Sequence, residues 1–206
     1  TFLSELKALP YVSWTADDVD LSVHGVTLYM EEKCSPGYNL YVNEADRALL
    51  VDMYGKVVHT WYFPREALWE YAVIRPDGNL VAMERDRSVV ELGFDSTVKR
   101  EISILSHHDI EFLSDGSFLT PGSITRELNG RSVVFNTILH VNAESRVDEI
   151  WSTFQELEHI RRFHYPSPLD AKRQEGEEIA DFDYYHLNTI KLLPDNPIGR
   201  KDPRFS

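Results

Sequence analysis

From Val23 onward the chain is written in short apolar runs. Positions 26–30, 38–42, 48–53 and 57–63 are rich in Val, Leu and Tyr, and each run is closed by Gly, Pro, Asn or Asp. Short runs of this composition, bounded by turn formers, predict strands rather than helices. Ahead of them, residues 1–22 form a weakly patterned N-terminal segment. There Leu3, Leu6 and Leu9 fall at helical spacing before Pro10, and 15–18 suits a capped turn. The most informative stretch is 183–195, which opens with polar and aromatic residues, alternates through Ile190 and Leu192, and stops at Pro194-Asp195. It predicts a strand on which His186, Asn188, Ile190 and Leu192 share one face, since strand side chains repeat every two residues. Ile190 and Leu192 are expected to pack inside and hold the strand start rigid.

The strand pattern repeats. Residues 71–81 and 109–119 have the same order of alternating apolar residues, an Asp-Gly turn and a second apolar run, and Asp77 and Asp115 lie 38 positions apart. A second marker, Val57 to Trp61 against Val147 to Trp151, follows a turn in each case. Units of about 40 residues made of four short strands predict a β-propeller, so the fold class is all-β. Strands around 38–63, 70–100 and 107–152 make three units and 184–193 opens a fourth. Residues 23–206 are thus expected to hold about three to three and a half blades. Since propellers close with about 4–8 blades, the remaining blades are expected from the same or another chain. Positions 155–183 are rich in charge and carry Pro166 and Pro168. They predict a polar insertion with one helical turn around 155–163, read either as a solvated loop or as a lid supplying His164 or Tyr165.

Composition and charge narrow the function. The chain has 206 residues, 42% hydrophobic, with a formal net charge of −13. That suits one sizeable core and argues against a general nucleic-acid binder, which needs a basic stripe to replace phosphate counterions. The single cysteine, Cys34, excludes an internal disulfide and a cysteine zinc cluster. No apolar run approaches the roughly 18 or more residues of a membrane span.

Candidate chemistry follows from the repeat. Shifting by 38 places Glu70 on His108, and shifting by 80 places His108 on Asn188 and Ser106 on His186. In a propeller the first strand of each blade lines the channel, so Glu70, His108 and Asn188 are expected at one level, with His186 a step beyond. Imidazoles serve as base, acid or nucleophile near neutral pH, and an amide can donate to an anionic oxygen. The set suits group transfer from an anion. It is equally open to a structural reading, with the histidines satisfied by neighbours. A metal site from His107, His108, Asp109 and His186 is the competing chemistry. Consecutive strand residues face opposite ways, however, so His107 and His108 share an ion only if the backbone is irregular there. His24, His59, His140 and His159 are read as structural. Neither a nucleophile elbow nor a Gly-rich phosphate loop is present.

Residues 107–110 (His-His-Asp-Ile) with 113–116, then 183–189 (Asp-Tyr-Tyr-His-Leu-Asn-Thr) with 193–195 and 202–205, resemble the arylsulfate sulfotransferase family, and 37–61 resembles that family's opening blade. The resemblance implies a six-bladed propeller. It also implies transfer of a sulfuryl group from a phenolic sulfate to a phenol, through a sulfated histidine and without a cofactor. On this reading His108, His186 and Asn188 are the catalytic candidates, with His107, Tyr185 and Glu70 beside the substrate. The family's nucleophilic histidine lies in later blades and matches no residue here, so this stretch alone is expected to be inactive. Tyr184-Tyr185 departs from the tryptophan-containing pair often found before the family's His-x-Asn. The resemblance also implies an extracytoplasmic, commonly periplasmic, protein whose partners are small phenols. A non-catalytic binding propeller and a metal-dependent hydrolase are the alternatives.

Overall fold

The structure is a computed structural model and describes residues 25–42, 46–63, 68–84, 87–162, 182–183, 186–202 and 204. The expectations for 1–22, for most of the insertion, and for His164, Tyr165 and Tyr185 lie outside these residues. The fold is nearly all-β, in three sheets. The first runs β1 (Asn39–Val42), β2 (Arg47–Val51) and β3 (Val57–Tyr62), and the second β4 (Trp69–Ile74), β5 (Leu80–Glu84), β6 (Ser88–Leu92) and β7 (Val98–Ser103). The third runs β8 (Glu111–Phe112), β9 (Phe118–Leu128), β10 (Arg131–Val141) and β11 (Val147–Ser152). All three are antiparallel meanders in chain order, except that β12 (Phe182–Asp183) adds to β10 in parallel. A helix, α1 (Leu157–Arg161), falls where the insertion was expected to turn once.

The turns are built alike from the same local chemistry. Asp77 Oδ1 accepts from the Asn79 amide at 3.0 Å, and Asp115 Oδ1 from the Ser117 amide at 3.0 Å. Between them Gly78 and Gly116 take φ of +85° and +86°, the left-handed region where a side chain is penalised. Asp52 and Asp95 accept from their own turns in the same way. This supports the repeat read from the sequence.

Alternation then decides which sheet packs on which. In β5, Leu80 and Ala82 join a core with Trp61 and Ala48 of the first sheet, while Val81 and Met83 join a second core with Phe118 and Val141 of the third. Every residue of β5 is buried, because the middle sheet is covered on both faces. The distal β9–β10 hairpin forms a smaller cluster, in which Val133 and Phe135 pack with Leu157 of α1.

Two strand expectations fail. Residues 26–30 form no strand and lead into a 3-10 turn at Glu31–Lys33. More important for the site, 186–196 is irregular rather than a strand, and Leu192 is exposed rather than packed inside. The backbone there meets side chains instead of a partner strand.

Candidate functional site

The approach to β8 is bent. Ser106 bridges to Gly122 and the His107 amide donates to the Pro121 carbonyl at 3.1 Å, so the chain is paired with β9 up to that point. Then the Asp109 amide donates to the His107 carbonyl at 2.9 Å, a three-residue turn with His108 at φ +69°. A non-glycine residue in that region is uncommon and persists where its surroundings hold it. Here the Thr120 hydroxyl donates to the Asp109 carbonyl at 2.9 Å. The turn breaks the strand alternation, leaving β8 only two residues long and re-aiming the His108 ring.

That ring lies between two partners. His108 Nδ1 is 3.0 Å from Glu70 Oε1 on β4, and His108 Nε2 is 3.2 Å from His186 Nε2. An ionised carboxylate only accepts, so Glu70 fixes the proton on Nδ1 and leaves the Nε2 lone pair of neutral His108 facing His186. His186 then donates through Nε2.

His186 itself has φ +42° and sits in the strandless segment. Polar side-chain contacts hold that segment. The Leu187 amide donates to Asn136 Oδ1 at 3.0 Å, and the Asn188 side-chain amide donates back to the His186 carbonyl at 2.8 Å. The Asp109 carboxylate accepts from the Thr189 hydroxyl at 2.6 Å and the Ile190 amide at 3.2 Å. Lys191 Nζ reaches Glu111 Oε2 at 2.8 Å and Asp109 Oδ2 at 3.4 Å.

The electrostatics follow this wiring. Burial pushes the Asp109 carboxyl upward, but the bonds from Thr189 and Ile190 and the Lys191 charge outweigh it and hold the group below the usual aspartate value. The Tyr71 phenol is pushed up, first by burial and then by Asp109. Lys191 is raised chiefly by its bond to Glu111. The His107 imidazole is lowered by burial and then by His108, and its Nδ1 is buried without a partner.

Of the residues expected to converge, the structure brings together Glu70, His108 and His186. It leaves Asn188 out of that contact. The register placed His108 level with Asn188, but the left-handed residues at 108 and 186 break the alternation, so His108 meets His186 and the Asn188 amide turns back on its own backbone. The backbone is also irregular where a shared metal required it, and the His107 and His108 rings lie edge to face with centroids 5.0 Å apart, with His107 Nδ1 buried. Among the described residues no group of three or more His, Cys, Asp or Glu is placed to hold a metal ion. His59 behaves as a structural residue, stacked on Phe94 with ring centroids 3.8 Å apart.

Sequence reasoning missed the clamps Asn136, Thr189 and Lys191, and it named Asp109 as a metal-ligand candidate rather than as the clamp it forms. The same shift of 80 that was applied to His108 also sets Asp109 on Thr189 and Glu111 on Lys191, a polar pair and an opposite-charge pair that signalled contact.

No protein-family model and no curated protein matches the chain. Among solved structures it is similar to one titled "Streptogramin B lyase structure", with 15% identity and a TM-score of 0.40 over 55% of this chain. The matched part spans 36% of that chain.

Proposed function

We propose that the three sheets are successive blades of a β-propeller, six-bladed as in the family the sequence resembles. We further propose that the protein is an aryl sulfotransferase whose other blades come from the same or another chain. The observation that carries the reading is the line from Glu70 through His108 to His186. These residues come from the start of one sheet, the start of the next and the segment after it. Such a line is what converging channel strands produce, and it delivers two imidazole Nε2 atoms to one point.

A sulfate oxygen entering between the rings takes the Nε2 hydrogen of His186 in place of His108, whose own Nε2 donates to it only in the imidazolium form, with the Nδ1 hydrogen still on Glu70. Glu70 keeps His108 in one tautomer, His186 donates through Nε2, and Asn188 braces His186 through its carbonyl. In the transfer, the sulfur–oxygen ester bond breaks, the phenolate leaves with the bonding electrons, and a new bond to sulfur forms from a histidine. The family resemblance puts that nucleophile in another blade. An acceptor phenol then attacks sulfur, gives up its proton and restores the histidine. Donors fixed in advance on the sulfuryl oxygens stabilise the charge spread over them, commonly by about 2.7–4 kcal/mol for each donor. His186→Ala and Glu70→Gln in the intact protein should each lower transfer from 4-nitrophenyl sulfate to phenol by roughly 10² to 10³. An intact protein that folds and transfers no sulfate removes this function. An export signal on the native N-terminus is expected from the extracytoplasmic reading, and a cytosolic native protein counts against it.

One observation favours a second reading. Two Nε2 atoms 3.2 Å apart have the spacing of neighbouring ligands on a single ion bound at about 2.0–2.1 Å, and the third protein ligand such an ion takes has to come from outside the described residues. Glu70 then acts as the outer carboxylate that orients a metal-bound histidine. A metal-dependent hydrolase predicts stoichiometric metal by elemental analysis and loss of activity with a chelator. A metal-free, chelator-insensitive active protein excludes it.

A further inference from the structure

We infer that Asp109 is a positioning residue, which sets the His186 ring against His108 by clamping a segment that no strand pairing holds. The inference deepens the proposed site, and its catalytic arm rests on that reading. Residues 186–196 have no ladder partner among the described residues, so His186 depends on side chains for its place. Asp109 is 6% exposed and adjoins the His108 turn. Its Oδ1 accepts the Ile110 amide at 2.9 Å, which fixes the carboxylate relative to His108, and its Oδ2 takes both Thr189 and Ile190. One carboxylate thus ties the backbone just after His108 to the Thr189 hydroxyl and the Ile190 amide, three and four residues past His186.

The remaining tethers are Lys191, whose Nζ reaches Glu111 Oε2 at 2.8 Å, and Asn136, which is 1% exposed and holds the Leu187 amide. Between the Asn136 anchor at Leu187 and the Asp109 anchor at Thr189 lies only Asn188, which closes the arc onto the His186 carbonyl. The two sites differ in kind. Asn136 anchors the segment to β10, whereas Asp109 anchors it to the residue that carries His108. Removing the Asp109 acceptor therefore frees the relative position of the two rings while leaving all three sheets intact. An asparagine there presents an amide where Thr189 and Ile190 both need an acceptor, if its nitrogen takes the Oδ2 place. If its oxygen takes that place, the Ile110 amide loses its acceptor instead.

The test is side-chain nitrogen NMR of the histidines in the intact protein and in Asp109→Asn, alongside melting temperature and sulfate transfer. The expected result in the parent protein is a fixed His108 tautomer with its proton on Nδ1 and a His186 signal distinct from free imidazole. In Asp109→Asn, His186 should move to the averaged signal of an exposed histidine while the sheet signals stay in place. Thr189→Val should shift it the same way, and Thr189→Ser should restore the parent signal. If the sulfuryl reading holds as well, kcat falls by about 10² in Asp109→Asn with KM changed much less. Decoupled rings in a protein that never transfers sulfate leave the positioning role standing and remove only the reaction. Unchanged His186 signals in both folded variants overturn the positioning role, whatever the turnover. Should Asp109→Asn fail to fold, Thr189→Val and Thr189→Ser decide alone.

Discussion

Burial and hydrogen bonding set His107 and Asp109 apart from ordinary members of their types, and the consequence is a stability that depends on acidity in two steps. His107 is lowered from 6.5 by burial, with His108 next. Asp109 lies below 3.8 because its bonds to Thr189 and Ile190 and the Lys191 charge outweigh burial. In both cases the unfolded chain takes up the proton more readily, so stability rises with pH across each window. The His107 contribution is complete above about 6.5 and is lost as pH falls from there to its depressed folded value. The Asp109 contribution is complete above the ordinary aspartate value and is lost as pH falls through its lower folded one. Melting temperatures from pH 8 to 3 should show both declines, with His107→Gln reducing the first and Asp109→Asn the second. Identical pH profiles for parent and variants count against both assignments. At this scale the sequence was partly legible. Glu70 and His108 stand 38 apart and do meet, although both depart from regular pairing, Glu70 at a register shift in β4 and His108 in a positive-φ turn. Asn188 was placed wrongly because no local signal in the sequence shows that His108 and His186 take positive φ, and one such residue is enough to break a period of two.

Turns show how far a repeat can be trusted at the scale of elements. A Cβ added at Gly78 or Gly116 meets nothing within 4 Å, so only the backbone conformation opposes it. Gly78→Ala and Gly116→Ala should each cost about 1–2 kcal/mol, read as equal shifts in the urea midpoint. Gly122 is the contrasting case on β9. There a Cβ lies 2.5 Å from Leu139 Cδ1, 2.9 Å from Thr137 Oγ1 and 3.1 Å from the Leu105 carbonyl, between β10 and the approach to His108. Gly122→Ala should cost about 1–3 kcal/mol through overpacking, and it should disturb the His108 turn as well as the fold. If it shifts the urea midpoint no more than Gly78→Ala and leaves His108 unmoved, the close approach is not constraining. Strands β1 to β5 were legible because their runs of strand formers are bounded by their own turn residues, whereas β6 and β7 were read only as part of a unit over 70–100. The 186–196 segment was not, although it alternates just as well. A strand exists only with a partner, and this one meets Asn136 and Asp109 instead.

The whole molecule hangs on the middle sheet, because β5 and β6 supply side chains to both large cores. Leu80, Ala82, Val90 and Leu92 face the first sheet, while Val81, Met83 and Val89 face the third. The outer strands are unlike it. In β3, Val57, Val58 and Tyr62 are exposed, as are Val147 and Ile150 in β11. Protection against amide exchange should therefore be greatest in β5 and β6, which open only when both cores do, and least in the rim strands. Leu80 and Met83 are completely buried on opposite faces of one strand, so truncating either leaves a cavity in a different core. Leu80→Ala and Met83→Ala should each cost about 2–5 kcal/mol. If the shared sheet couples the cores, both variants move one and the same unfolding transition, seen identically by circular dichroism and by tryptophan fluorescence in a background with Trp14 and Trp151 replaced by Phe, where only Trp61 and Trp69 emit. Both tryptophans sit in the first core, so the fluorescence probe answers a cavity in the second only through that coupling. Were Met83→Ala to shift the circular dichroism transition while leaving the fluorescence transition in place, the cores would be separate units. The line from Glu70 to His108 and His186 would then span a boundary too loose to hold it.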